Sequence, residues 1–184
     1  FGAPAGASST RLSPDGTKIA YTLEVDGNYD IYVGVLGGAA TRLTNHPKQE
    51  FYPVWSPDGT KIAFTSLRDG DSEIFVINID GTGEKQLTSN NHGDIWPAWA
   101  PGTQIAWESQ KGNKSNIHTI SASGGDEREL ANSEYYKTQP AWSPGGAIAY
   151  ASGEIHIANS DGGDDKTVSG TGGRAKHPAW SPDG

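Results

Sequence analysis

The chain holds 184 residues with a formal net charge of −8, and it contains 25 glycines, 11 prolines and neither cysteine nor methionine. The missing cysteine excludes disulfides, thiolate metal sites and a cysteine nucleophile, and no run of about 18 apolar residues is present to span a membrane as a helix. The acidic balance argues against a general binder of phosphate backbones, so no nucleic-acid partner is expected. Six tryptophans, seven tyrosines and four phenylalanines favour a packed core over disorder. The glycine and proline content favours short strands joined by tight turns. A chain without any methionine is expected to be processed or part of a longer product, and residues 1–7 show no signal-peptide pattern.

Taken in chain order, the pattern opens with the turn Ser13-Pro14-Asp15-Gly16, a strand over 18–22, an alternating strand over 30–33 and a short outer strand over 41–43. It starts again at Ser56-Pro57-Asp58-Gly59, with strands expected at 61–65, 73–76 and 85–87. Ala100-Pro101-Gly102 introduces strands at 104–107, 116–119 and 128–130, and Ser143-Pro144-Gly145-Gly146 introduces 147–151, 154–157 and 166–168. Ser181-Pro182-Asp183-Gly184 begins a fifth copy. The motif starts lie 43, 44, 43 and 38 residues apart, and Trp55, Trp99, Trp142 and Trp180 precede four of them, with Leu12 in that place in the first copy.

Each onward connection, 44–55, 88–99, 131–142 and 169–180, is twelve residues long, so successive units stand in one relation to each other. Four strands in each unit of about 40 to 45 residues predict an all-β protein, a β-propeller of four-stranded blades. The expected organisation is one domain over 1–184, with repeats near 13–55, 56–99, 100–142 and 143–180 and the start of a fifth at 181–184. Pro53, Pro97, Pro140 and Pro178 stand two residues before the tryptophans, on the same sheet face, and are tolerated because the innermost strand is an edge.

The run Trp55-Ser56-Pro57-Asp58-Gly59-Thr60-Lys61-Ile62-Ala63-Phe64, followed by Glu73-Ile74-Phe75-Val76-Ile77-Asn78 and Gln86-Leu87-Thr88, resembles the WD40-like Pro-Asp repeat of TolB-like propellers, from Leu12 to Gly184. The resemblance implies a non-catalytic binding or scaffold module at a periplasmic, extracellular or cell-surface location, with a protein or peptide partner. The same repeat type builds the substrate-gating propellers of prolyl-oligopeptidase-like hydrolases, and lyase-type propellers resemble it too. Such propellers close with six or more blades. Four repeats plus one inner strand therefore suggest a partial propeller, a structural fragment that assembles through open ends as a homo-oligomer or with missing blades, or closure with four blades. In the last case residues 177–181 would fill the inner edge of the first blade and displace 8–12.

Loops on a rigid scaffold carry binding, so the between-blade connections form the expected partner surface. It comprises Lys48, Glu50 and Tyr52; His92, Asp94 and Trp96; Tyr135, Tyr136, Lys137 and Gln139; and Arg174, Lys176 and His177. His118 and His156 fill the slot of Tyr32 and Phe75 and are read as packing residues. His46, His92 and His177 would form a shared metal site only if they met at one depth. The acidic turns at 26–30, 69–73 and 161–165 raise local calcium binding, but none has EF-hand spacing, and Asp and Gly are what tight turns require. No cofactor is expected, although the resemblance admits Ca2+ in a central channel. Neither a G-x-S-x-G elbow nor a Walker loop is present, and no catalytic residue or intrinsic activity is expected. Asn113-Lys114-Ser115 is a glycosylation sequon relevant only to a eukaryotic secretory protein.

Overall fold

A computed structural model describes residues 3–130, 136–168 and 175–184. Among the described residues sixteen strands form four antiparallel four-stranded sheets, divided between two compact units, Phe1–Asn91 and His92–Gly184. In the first unit β1 (Ser8–Leu12), β2 (Lys18–Val25), β3 (Asn28–Val35) and β4 (Ala40–Arg42) form one sheet. There β5 (Glu50–Trp55), β6 (Lys61–Ser66), β7 (Glu73–Asn78) and β8 (Lys85–Gln86) form the next. The second unit repeats this with β9 (Gly93–Trp99), β10 (Gln104–Lys111), β11 (Lys114–Ser121) and β12 (Arg128–Glu129), then β13 (Thr138–Trp142), β14 (Ile148–Ser152), β15 (Glu154–Ala158) and β16 (Lys166–Thr167). Strands are paired in sequence order throughout, as the all-β propeller reading requires.

In the first unit the Ser-Pro-Asp-Gly turns explain why the first two strands of each sheet pair in register. Ser13 Oγ donates to Asp15 Oδ1 at 2.6 Å and accepts the Lys18 amide at 2.9 Å, while Gly16 N–H reaches Ser13 O at 2.9 Å. Ser56, Asp58, Lys61 and Gly59 repeat the same bonds. Gly16 and Gly59 sit at φ of 70° and 68°, a region that costs glycine nothing. Hydrogen bonds from Ser13 and Thr17 hold the Asp15 carboxyl at about 2, and Ser56 and Thr60 lower Asp58 in the same way.

Each sheet carries a cross-strand aromatic pair between its second and third strands: Tyr21 with Tyr32, Phe64 with Phe75, Trp107 with His118 and Tyr150 with His156. Their ring centroids lie 5.8, 5.8, 5.7 and 5.3 Å apart. The packing role expected of His118 and His156 is thus what the structure shows. Each ring also meets a carboxylate through Nδ1, Glu127 at 2.9 Å and Asp165 at 3.0 Å.

Between the two sheets of the first unit, Phe64, Phe75, Ile62 and Ile77 pack on Ala20, Ile31 and Leu43. In the second unit Ala106, Ile117 and Leu130 pack on Ile148, Tyr150 and Ala158. Full burial of each large side chain is worth about 1.5–3 kcal/mol, and neither sheet could cover both of its faces alone.

Two of the repeated tryptophans bond the inner strand of the sheet before them, whereas the buried Trp142 indole N–H does not. Trp55 Nε1–H donates to Arg11 O at 3.0 Å in the first unit, and Trp180 Nε1–H donates to Ala141 O at 3.0 Å in the second. The displacement of 8–12 expected under four-blade closure is not what the structure shows. The segment 8–12 is itself β1, hydrogen-bonded to β2 at the inner edge of the first sheet. Trp180 makes with the fourth sheet the contact that Trp55 makes with the first.

Candidate functional site

Every inner strand carries the same irregularity. Pairing runs Phe51↔Thr65 and then Val54↔Ala63, so Tyr52 and Pro53 together oppose Phe64. Trp96 and Pro97 likewise oppose Trp107, Gln139 and Pro140 oppose Tyr150, and Ser9 and Thr10 oppose Tyr21. These are β-bulges, two residues facing one. The first residue of each is left-handed: φ is 51° at Ser9, 55° at Tyr52, 56° at Trp96 and 56° at Gln139. His177, three residues before Trp180, has a φ of 53° in the same place.

A left-handed backbone is unfavourable for bulky side chains and costs of order 1–3 kcal/mol per residue. Its recurrence at one repeat position means that the fold imposes it. Proline follows in four of the five copies; it has no N–H to lose where the ladder is already broken. A proline within a strand pattern is the sequence signal for this bulge, and edge placement alone does not account for it. Ser9, the first member of the series, escapes sequence reasoning because its copy lacks both the proline and the tryptophan.

In the second unit two bulge residues, Trp96 and Gln139, meet the left-handed His177. The Trp96 and His177 rings stand edge to face with centroids 5.8 Å apart. The Gln139 side chain accepts the His177 amide at 2.7 Å, and its Nε2 lies 3.4 Å from His177 Nε2. Gln139 is placed in turn by Glu108, which accepts its backbone N–H at 3.3 Å and a bond from Gln110 at 2.8 Å. Burial pushes the Glu108 carboxyl up, and these two bonds oppose the shift. The result is an aromatic face, an amide and an imidazole held in fixed relation, groups suited to recognition. His177 is exposed, while Trp96 and Gln139 are half-buried.

The other residues expected on the connection surface divide by strand register. Glu50 and Asp94 lie before the bulge, opposite Ser66 and Ser109, and both are buried, as is Lys137. This corrects the expectation that they present side chains to a partner. Glu50 pairs with Arg68, which also binds Glu84 and stacks 4.2 Å from the centroid of Phe75. Burial raises the Glu50 carboxyl against the opposing pull of Thr44 and Arg68. Lys137 Nζ lies 4.7 Å above the Tyr150 ring and 3.8 Å from Asp165, and burial lowers its pKa.

Tyr52 adjoins Phe51, which packs on Tyr29. Lys48 is exposed at the wall of a shallow cavity of about 400 Å3. Tyr136 and Lys176 are exposed, His92 is half-buried, and Tyr135 and Arg174 lie outside the described residues. The acidic turn ends serve the chain itself: Asp30 binds Arg42 at 2.6 Å, and Glu73 accepts the Asn90 amide at 2.8 Å. Among the described residues no three His, Asp or Glu side chains converge as metal ligands.

The family model described as the TolB beta propeller domain matches residues 7–184. Among curated proteins nothing matches the chain. A solved structure assigned as TolB from Agrobacterium tumefaciens is similar at 27% identity and a TM-score of 0.80, over 94% of this chain and 69% of that one. TolB from Acinetobacter baumannii is similar at 25% identity and a TM-score of 0.69, over 85% of this chain and 42% of its own length. An oligogalacturonate lyase from Vibrio parahaemolyticus shares the fold at 12% identity and a TM-score of 0.68, over 85% of this chain and 50% of the lyase. The chain spans less than half of the Acinetobacter protein, and its match to the family covers nearly its whole length. Sequence-ordered four-stranded sheets, the tryptophan pins and this match agree: the chain belongs to the TolB β-propeller domain family.

Proposed function

We propose that the chain is a non-catalytic binding module that docks a protein or peptide partner on its connection surface, at a bacterial envelope or cell surface. The observation that carries this reading is the left-handed residue repeated at one place in five copies, four of them at a bulge, with a different residue each time: Ser9, Tyr52, Trp96, Gln139 and His177. A strained backbone kept at one place while its side chain varies is what a display scaffold requires. Large, rigid aromatic residues such as Tyr52 and Trp96 are the types that dominate binding energy. The envelope or surface location is supported by family membership, and recovery of the native protein in the cytosolic fraction would overturn it.

Selection of a displayed random peptide library on the purified chain tests the docking reading. Selected peptides are expected to lose about tenfold or more in affinity on the W96A variant, as for an aromatic anchor. Failure to select any peptide, or peptides indifferent to W96A and Y52A alike, would refute docking at the bulges. The alternative is a substrate-gating propeller of a hydrolase, or a lyase-type propeller. Turnover of peptide or pectin substrates by the purified chain would establish it in place of the non-catalytic reading.

A further inference from the structure

We infer that the connection end of the second unit is a cationic docking surface for a carboxylate-rich peptide segment. This rests on the docking reading above and adds the chemistry of what docks. Strand topology brings the start of β9, the β10–β11 turn, the start of β13, the β14–β15 turn and residues 175–177 to one end of the unit. Two backbone bonds fix this: Lys137 N–H to Ser115 O at 2.8 Å and Ala175 N–H to Gly153 O at 3.0 Å.

Lys111, Lys114 and Lys176 are all exposed at that end, together with His177 and half-buried His92. None of the three lysines forms an ion pair among the described residues. Of the acids described there, Asp94 and Glu108 are buried, Glu154 is half-buried, and the exposed Glu129 is engaged by Asn116, which donates to it at 2.6 Å. The unit's exposed acids Asp126, Glu127, Asp161, Asp164, Asp165 and Asp183 gather toward the other end, with Arg128 and Lys166 on the outer strands beside them.

A chain of net charge −8 therefore presents a local field of the opposite sign beside Trp96, Gln139 and His177. Such a field steers and selects acidic partners. A cavity of about 180 Å3 opens among these cations, bounded by His92, Lys111, Lys114 and His118, with Asn116 and Glu129 in its wall. Its size suits an acidic side chain. The overall negative charge disfavours a long polyanion such as nucleic acid, whereas three lysines match a few carboxylates.

Fluorescence anisotropy with three labelled peptides, alternating Glu-Gly, Gln-Gly and Lys-Gly, tests the inference on the intact chain. The Glu-Gly peptide is expected to bind about tenfold or more tightly than Gln-Gly, with the preference shrinking as salt is added. That preference should vanish in the doubly substituted K111Q/K114Q, weaken in K176Q, and persist in K166Q, whose lysine lies on an outer strand. Equal binding of Glu-Gly and Gln-Gly that W96A abolishes would overturn this inference and leave docking intact. A preference that survives K111Q/K114Q would also overturn it, as would an oligogalacturonate bound by the same lysines in place of the Glu-Gly peptide. No binding of any peptide, here or in the library selection, would remove both readings.

Discussion

The Ser-Pro-Asp-Gly turns and the inner-strand bulges repeat in opposite ways. At the turns the side chains recur and so do their bonds: Ser13 and Ser56 each donate to an aspartate at 2.6 Å and accept a lysine amide at 2.9 Å. At the four bulges and at His177 only the backbone recurs, with φ between 51° and 56° at five residues of five different types. Where side chains are constant they are making the fold. The place where the backbone is constant and the side chain differs is the one proposed above for docking.

Substitutions should separate the two regions. The largest effect is expected at Trp55, 6% exposed with its indole bonded to Arg11 O. Trp55→Ala should cost about 3–5 kcal/mol in urea unfolding. Trp96→Ala, at the proposed docking position, should cost about 1 kcal/mol or less while lowering peptide affinity about tenfold or more. Equal losses of stability would erase the distinction.

Arg68→Met comes next, because it leaves the buried Glu50 carboxylate without its cation. A broken buried pair costs about 3–5 kcal/mol, at the lower end here because Arg68 retains some exposure. Adding Glu50→Gln to Arg68→Met should restore most of the loss, and no recovery in thermal unfolding would show that the pair is not what matters. Ser56→Ala should cost about 1–2 kcal/mol, since its buried hydroxyl makes two bonds in the turn. Smallest of all is Ser9→Gly, which relieves a left-handed residue and should change stability by no more than about 1 kcal/mol. A β-branched valine there should destabilise by more than that.

Acid titration sharpens the same contrast. Asp15, Asp58 and Asp80 have lowered pKa values through their turn hydrogen bonds. Their stabilisation is present above the ordinary aspartate value near 4 and is lost as pH falls, toward about 2 for Asp15. Glu50 and Glu108, beneath the display side, are raised mainly by burial. Their contribution is fully present below the ordinary glutamate value and fades as pH rises through the folded one. Wild type should therefore lose stability between about pH 4 and about 2. Asp15→Asn and Asp58→Asn should flatten that loss; an unchanged acid limb would place the titrating groups elsewhere.

Much of this is legible in the residues. Motif spacing carries the strand order, and the Tyr32, Phe75, His118 and His156 positions carry the aromatic pairs across each sheet. The site is only half legible. Tyr52, Trp96, Gln139 and His177 stand out as variable residues in constant connections. Glu50, Asp94 and Lys137 stand out with them, because polarity in a connection cannot tell a side chain facing solvent from one turned onto the neighbouring strand.

By itself, then, the sequence determined the repeat, the four-stranded sheets and the turns, because these depend on local chemistry: hydroxyl and carboxylate at fixed spacing, glycine where φ is positive, alternation along each strand. Tertiary structure decided which polar residues are displayed. Pairing to the next strand places Glu50 opposite Ser66 and Asp94 opposite Ser109, on faces covered by packing. The bulge two residues later breaks that register at Tyr52 and Trp96. A shift of one residue in pairing reverses which face a side chain takes, and that shift exists only once two strands have met.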